Sequence, residues 1–147
     1  ILVVGGLPAD IGAKLWECAA GGIELYGTES VNVTDSQGNI QVVNYTVASI
    51  IPVLVEVTIV QYNARRLPTN YEQLIKDAVA AYGNAYAIGQ DLIISRWVVP
   101  CYGIDGVDEV TIRHQKAGSG YTTDDIVLAY NEKVEMTADN VYIEEGP

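Results

Sequence analysis

The chain has 147 residues, of which 49% are hydrophobic and only 18% are charged. This composition supplies enough apolar side chains for a packed core and excludes a mainly disordered chain. Acidic residues outnumber basic ones 19 to 8, for a formal charge of −11. That balance argues against a nucleic-acid partner, which needs clustered Lys and Arg, and against an anionic membrane surface. The sequence has no apolar run long enough to span a bilayer and no visible signal peptide.

The length fits one domain or two small ones. The chain opens at Ile1 without an initiator Met and enters an apolar stretch at once, so we expect it to be cut from a longer protein. A break near Ala48 and Ser49 is the best candidate boundary. We therefore expect two regions, 1–49 and 50–147.

The first region begins with a short strand and a helix. Residues Ile1 to Val4 form the predicted strand, and Gly5-Gly6 interrupts it. Pro8 suits the first turn of a helix, where its missing N–H costs no hydrogen bond. We expect this helix to end near Gly21-Gly22. Its apolar face has helical spacing and consists of Ile11, Leu15 and Cys18.

A β-hairpin follows, with strands at Val31–Thr34 and Ile40–Tyr45 around the turn Asp35–Asn39. The turn resembles part of a calcium loop. It lacks the further alternating acidic ligands and the distal Glu that such a loop requires. A hairpin turn containing Gly38 explains these residues fully, so we predict no ion site here.

The second region opens with a strand and an amphipathic helix. From Val53 to Val60, apolar side chains alternate to form one continuous face. Thr69 and Glu72 have the spacing of a capping box, and Gly83 is expected to end the helix. Its apolar face has spacings of three and four and consists of Tyr71, Leu74, Ile75, Ala78, Val79 and Tyr82.

The remaining elements are predicted in chain order. A second helix starts near Gly89–Asp91, carries Leu92 to Val99 and is closed by Pro100. A strand at Val110–His114 leads to a polar loop. The last extended pieces lie near Ile126–Leu128, Lys133–Met136 and Val141–Ile143. The predicted fold class is α+β: a small strand–helix–hairpin region, then a β-α-α-β-β unit whose helices pack on a mixed or antiparallel sheet.

The sequence contains no recognisable catalytic, cofactor-binding or metal-binding set of residues. His114, the single histidine, shares its strand parity with apolar residues and is interpreted as a packed structural residue. Cys18 and Cys101 are too few and too isolated for zinc. We interpret them as reduced and mostly buried thiols, with a bridge between them left open. Neither Gly5-Gly6 nor Gly21-Gly22 fits a phosphate-binding pattern.

Acidic residues crowd two predicted turns, and adjacent carboxylates in turns are ordinarily solvated. Their use in acid–base chemistry would require a cleft that separates their pKa values. The five residues are Asp105, Asp108, Glu109, Asp124 and Asp125.

The aromatic set is unusual, with ten Tyr, two Trp and no Phe. Tyr and Trp bury area while keeping a polar group, and they are enriched at protein interfaces. A core that uses Tyr at its rim explains the same composition, and both interpretations stay open here. The candidate interface residues are Tyr82, Tyr86, Trp97, Tyr102 and Tyr121.

Several short motifs occur in order along the chain: Ala20–Ile23, Tyr26-Gly27, Val31–Gly38, Pro52–Ile59, Ile88–Asp91, Gly103–Val110, Asp125–Leu128 and Asn131-Glu132. Taken in this order, they resemble the C-terminal portion of the baseplate J-like proteins of contractile phage tails. No single motif is specific, but their joint order and spacing cover nearly the whole chain. The sequence departs from the family in the loop Lys116–Thr123 and lacks the family's N-terminal region.

The resemblance implies a structural, non-enzymatic role in the baseplate of a virion or of a prophage-derived tail-like particle. The expected partners are other copies of the chain and neighbouring wedge and hub proteins, assembled in the bacterial cytoplasm. It implies no cofactor. Two alternatives stay open: a module that binds a sugar or host-surface ligand, and a tail-associated glycosidase that uses carboxylates alone.

Overall fold

The computed structural model describes residues 1–19 and 23–146 and has a mixed α+β fold, which confirms the predicted fold class. The described residues contain three α-helices and seven strands. Residue contacts divide the chain into two compact units, Ile1–Ser49 and Ile50–Pro147. The residues Ala20, Gly21 and Gly22, used above for a helix end and for a family motif, lie outside the described ranges.

Unit 1 is a three-stranded sheet with one helix. Strand β1 spans Leu2–Val3, helix α1 Pro8–Cys18, strand β2 Glu29–Thr34 and strand β3 Ile40–Val47. The strand order is β1-β3-β2, with β1 parallel and β2 antiparallel to β3. The predicted helix and hairpin are therefore confirmed, and the first strand is shorter than expected.

Helix α1 packs closely on the hairpin because it carries a glycine at the contact. A Cβ atom on Gly12 would lie 2.5 Å from Val31 Cγ1 and 3.0 Å from Val33 Cγ2. A larger residue here would force the helix away from β2. The core that results is small, with four buried hydrophobic residues among those described: Ile11, Val43, Tyr45 and Ala48.

Unit 2 is built around one long strand. Strand β4 spans Ser49–Tyr62, β5 Val107–Lys116, β6 Glu132–Glu135 and β7 Val141–Glu145. One edge of β4 pairs with β5 in antiparallel register, and the other edge pairs with β6 and with β7, which runs parallel to it. The sheet is therefore mixed.

The helices cover one face of this sheet. Helix α2 spans Tyr71–Asn84 and packs against β6 and β7, and helix α3 spans Val98–Tyr102 and packs against β5. Two 3₁₀ turns lie at Ile94–Arg96 and Ala138–Asn140. Side chains that alternate along β4 are buried beneath the helices, as the sequence pattern predicts: Val53, Val55, Val57 and Ile59.

Both ends of α2 differ from the sequence prediction. The N-cap residue is Asn70 and makes no side-chain capping hydrogen bond. Thr69 and Glu72 are therefore out of register for a capping box, which needs the N-cap and N3 positions. Gly83 lies inside the helix rather than after it. A Cβ there would lie 2.3 Å from Met136 Sδ and 3.1 Å from Trp97 Cη2, so the glycine permits close packing instead of ending the helix.

The predicted second helix over residues 92–99 is wrong. Leu92 instead pairs with Ile126 in an isolated β-bridge, and the chain then forms the 3₁₀ turn before α3 begins. Pro100 is the third residue of α3, where an N–H group would have no intrahelical acceptor, so the proline is tolerated.

The predicted strand at Ile126–Leu128 is reduced to that single bridge. Past Ile126, the backbone N–H of Leu128 donates to the Asp91 carboxylate at 2.9 Å rather than to a strand. A side-chain acceptor here takes the place of a ladder hydrogen bond.

Replacing Ile75 with Ala tests the packing of α2 on the sheet. Ile75 is fully buried, so we expect Ile75→Ala to lower the free energy of unfolding by about 2 to 5 kcal/mol. Urea denaturation measures the change. Glu72→Ala, on the exposed side of the same helix, is the control and is expected to stay within about 0.5 kcal/mol. Equal effects of the two variants would contradict this packing.

Candidate functional site

An aromatic cluster lies between α2, α3 and the sheet and consists of Tyr82, Tyr86, Trp97 and His114. Trp97 is fully buried and stacks with Tyr86 at a centroid distance of 5.7 Å. Tyr82 meets both rings edge-on, at 5.7 Å from Tyr86 and 5.8 Å from Trp97. Stacked and edge-on pairs at these distances add stabilisation beyond the area they bury.

His114 is the polar member of the aromatic cluster and is fully buried. The indole Nε1–H of Trp97 donates to His114 Nδ1 at 3.0 Å. Because Nδ1 accepts, the proton lies on Nε2, which donates to the carbonyl oxygen of Asp124 at 2.7 Å. Burial lowers the pKa of His114, which favours the neutral ring. Both ring nitrogens have structural partners, as the prediction of a packed histidine requires.

The five candidate interface residues do not form one surface. Trp97 and Tyr86 are buried, which corrects the expectation for these two: they fill the core of unit 2. Tyr82 is half-buried beside them, and Tyr102 is exposed at the end of α3. Tyr121 lies elsewhere, with the Arg113 guanidinium 5.7 Å from its ring centre. The type of residue alone could not separate the core members from the surface members.

The second face of the unit 2 sheet carries a polar cluster that the sequence prediction missed. Arg113 alternates with the buried Ile112 and His114, so its side chain lies on the opposite face. Its Nε donates to Glu56 at 2.7 Å, and its terminal nitrogen also donates to that carboxylate. This contact raises the pKa of Arg113. The alternation along β4 predicts from the sequence that Glu56 lies on this face. Its pairing with Arg113 is known only from the β4–β5 register in the structure.

Tyr142 extends this exposed face on the neighbouring strand. It is 49% exposed and lies directly opposite Glu56 in the parallel β4–β7 register. Tyr and Arg side chains dominate the binding energy at many protein interfaces. The face therefore has the residue types of a contact surface, and we name it the open sheet face: Glu56, Arg113, Tyr121 and Tyr142.

The carboxylates considered for acid–base chemistry all lie on exposed surface: Asp105, Asp108, Glu109, Asp124 and Asp125. Asp105 pairs with Arg66, and Asp125 accepts the backbone N–H of Ile94 at 2.8 Å. A glycosidase needs two carboxylates that face one groove. Exposure of all five removes the basis of that hypothesis.

Asp35 serves the hairpin turn, as predicted. Its carboxylate accepts the backbone N–H groups of Gln37 and Asn39 at 2.9 and 2.8 Å and the side-chain amide of Gln41 at 3.0 Å. The hydrogen bond from the Asn39 backbone is the largest cause of its lowered pKa, followed by that from Gln41. Both carboxylate oxygens therefore have partners within the hairpin.

The two cysteines are both free thiols. Cys18 is exposed, which corrects the expectation that both are buried, because it lies at the last turn of α1 on the solvent side. Cys101 is buried, and burial raises its pKa to about 12, so it stays protonated. Among the described residues, no group of three or more His, Cys, Asp or Glu is placed to hold a metal ion.

A cavity of about 180 Å³ opens beside the aromatic cluster and is lined by Tyr82, Ala85, Tyr86, Gln90 and Arg96. The Tyr86 hydroxyl is buried and has no hydrogen-bond partner among the residues that the structure describes. Burial is the largest cause of the raised pKa of this hydroxyl, which is about 12, so it remains a neutral donor. The neighbouring Tyr82 hydroxyl also raises the pKa of Tyr86. The two hydroxyls nevertheless do not have the geometry of a hydrogen bond.

Comparison with known proteins gives no family assignment. No protein-family model matches the chain, and no curated protein matches it. The resemblance to baseplate J-like proteins therefore stays a prediction. Among the described residues, no helix is both long and apolar enough to cross a membrane.

The burial of His114 predicts how stability depends on pH. The ordinary pKa of the ring is 6.5 and the folded value is lower, so below 6.5 the unfolded chain binds a proton that the folded chain does not. Stability is then complete above 6.5 and falls as the pH decreases, by at most about 1.4 kcal/mol per pH unit. Urea denaturation between about pH 5 and 7.5 measures the slope.

The matched variant for this experiment is His114→Gln, which keeps one acceptor and one donor but does not titrate. We expect its profile to be flat over the same range. Asp35 and Glu132 also have lowered pKa values, from ordinary values of 3.8 and 4.5, so their contributions are lost only at lower pH. A slope that persists in His114→Gln would contradict the assignment.

Proposed function

We propose that the chain is a structural component of a contractile-tail baseplate, where it contacts copies of itself and neighbouring baseplate proteins. The order of motifs that resembles the baseplate J-like family suggests this role. One structural observation gives the proposed role further support: unit 1 exposes far more large apolar side chains than it buries.

The exposed apolar residues of unit 1 are distributed over its strands, its helix and its loops. Ile40 and Val42 are 70% and 63% exposed and alternate with the buried Val43, so they lie on the sheet face away from the core. A unit of about 50 residues with so small a core is marginal by itself. The full set is Ile1, Val4, Leu7, Trp16, Ile23, Tyr26, Ile40, Val42 and Val47.

Exposed apolar surface of this extent is typical of proteins that bury it in an assembly. A free monomer would carry it as an aggregation liability. The open sheet face of unit 2 supports the same role, because it offers Tyr121, Tyr142 and Arg113 around a paired carboxylate. The charge of −11 favours neighbours whose surfaces are basic.

Immunolabelling of tail particles tests the location. Antibodies raised against this chain are applied to particles released by the source bacterium and viewed by negative-stain electron microscopy. The proposal expects label at the distal end of the tail, and antibody preabsorbed with the chain is the control. Intact, permeable baseplates without label, with the protein free in the lysate, would contradict the proposal.

Substitution of the exposed face of unit 1 tests the interface. We expect the double variant Ile40→Thr and Val42→Thr to change the free energy of unfolding by no more than about 1 kcal/mol, because both side chains are exposed. Incorporation into tail particles, measured by the same labelling, is expected to fall severalfold. Gln37→Ser, at the exposed tip of the same hairpin, is the control and should assemble normally. Normal incorporation of the double variant would remove the main support for this interface.

A further inference from the structure

The cavity beside the aromatic cluster has the features of a ligand site rather than of a packing defect. It lies where α2 ends, and the 3₁₀ turn Ile94–Arg96 supplies its far side. Its volume of about 180 Å³ is sufficient for a small polar group rather than for a whole cofactor. The lining combines two phenol rings with one amide and one guanidinium group, so the chemistry of those groups decides the occupant.

The buried hydroxyl of Tyr86 is the first indication of a ligand. Tyr86 is 5% exposed, and its hydroxyl has no partner in the described part of the chain. Native proteins rarely leave a buried donor unsatisfied, because its desolvation is not offset. A ligand acceptor would supply the missing partner. The hydroxyl is covered in this state, so binding requires movement of side chains at the cavity rim.

The charge around the cavity selects an anionic group. Arg96 is exposed and makes no ion pair with any described residue, although acidic residues are abundant in the chain. The Gln90 side chain accepts the backbone N–H of Ala87 through Oε1 at 2.9 Å. That contact leaves the Gln90 amide N–H groups available as donors. The cavity thus offers three kinds of donor and a positive charge.

Two nearby features oppose an anion, and both are compensated. The carbonyl end of α2 is negative, but the Lys133 ammonium donates to the carbonyls of Asn84 and Tyr86 there. Asp125 is also close enough to affect the Tyr86 hydroxyl. Arg96 affects the pKa of that hydroxyl more strongly than Asp125 does and in the opposite direction.

We propose that this cavity binds a carboxylate group, held by the Arg96 guanidinium and by the Tyr86 hydroxyl and the Gln90 amide. Carboxylates accept several hydrogen bonds at once and pair well with the planar fork of Arg. The group belongs either to a small free acid or to an acidic side chain of another protein. The inference depends on the cavity alone and stands apart from the proposed structural role.

Nuclear magnetic resonance tests the proposal on the whole 147-residue chain. Signals of the Arg96 Nε–H and the Gln90 side-chain amide are followed during titration at constant ionic strength. The probes are acetate and an N-acetylated, amidated Gly-Glu-Gly peptide, with acetamide and the Gln peptide as neutral matches. We expect saturable shifts with the two carboxylates only. Equal shifts with the neutral probes, or no saturation with any probe, would overturn the proposal.

Comparison of the two carboxylate probes distinguishes the sources. A tighter complex with the Glu peptide than with acetate supports recognition of a protein side chain. Equal affinities support a small free acid. Both results keep the carboxylate site, because the neutral probes control for the rest of each molecule.

Three variants separate this site from general electrostatic attraction. Arg96→Gln is expected to weaken carboxylate binding about tenfold or more, as loss of a charge-assisted hydrogen bond does. Arg65→Gln removes the same charge from another exposed position of unit 2 and should change the affinity less than about twofold. Tyr86→Phe should weaken binding and raise the melting temperature of the free protein, because it removes an unsatisfied buried donor. Equal losses in Arg96→Gln and Arg65→Gln would contradict a defined site.

Discussion

The architecture of unit 2 depends on one buried polar contact, the pair of hydrogen bonds that hold the His114 ring. A ring with two nitrogens can be fully buried only when both are paired. Trp97 satisfies one nitrogen from the helical side and the Asp124 carbonyl satisfies the other from the long loop after β5. The sheet, the helical layer and that loop are thereby joined at a single residue.

Neighbouring contacts follow from this constraint. The loop returns to β5 through a pair of backbone hydrogen bonds between His114 and Thr122, at 3.0 and 2.8 Å. Asp125 then holds the start of the 3₁₀ turn, and Ile126 pairs with Leu92. Trp97 is fixed within this frame, and Tyr86 and Tyr82 pack on it to form the wall of the cavity. The backbone beneath the candidate carboxylate site is thus held by these contacts, while side chains at the cavity rim must move for a ligand to reach the Tyr86 hydroxyl.

The two faces of the sheet have different roles as a result. The face beneath the helices carries the apolar core. On the open sheet face the Arg113 side chain is 52% exposed, whereas the Glu56 side chain is only 11% exposed. Beside this pair, Tyr121 and Tyr142 are residue types suited to contact with another protein. Together with the apolar surface of unit 1, this face supports the proposed role in an assembly.

Much of the fold could be predicted because local pattern and final structure agree. Alternation along β4 and helical spacing over Tyr71–Tyr82 are direct consequences of the faces that these elements bury. The helix predicted from about residue 89 to Pro100 is wrong because its apolar spacing suits a helix, whereas Leu92 forms a β-bridge with Ile126, 34 positions away. The interface prediction for Tyr86 was wrong for a related reason, because tyrosine is equally suited to the rim of a core and to an exposed surface. The cavity was not predictable from the sequence, since only tertiary packing brings Tyr82, Tyr86, Gln90 and Arg96 together around it.

The most direct test of this account is the protonation state of His114 in the folded chain. Nitrogen-15 NMR of a histidine-labelled sample distinguishes the two neutral tautomers and the charged ring. We expect the neutral tautomer with its proton on Nε2, maintained as the pH is lowered through 6.5, the ordinary pKa of the ring. A charged ring at that pH, or a proton on Nδ1, would contradict the Trp97–His114–Asp124 contact on which the rest depends.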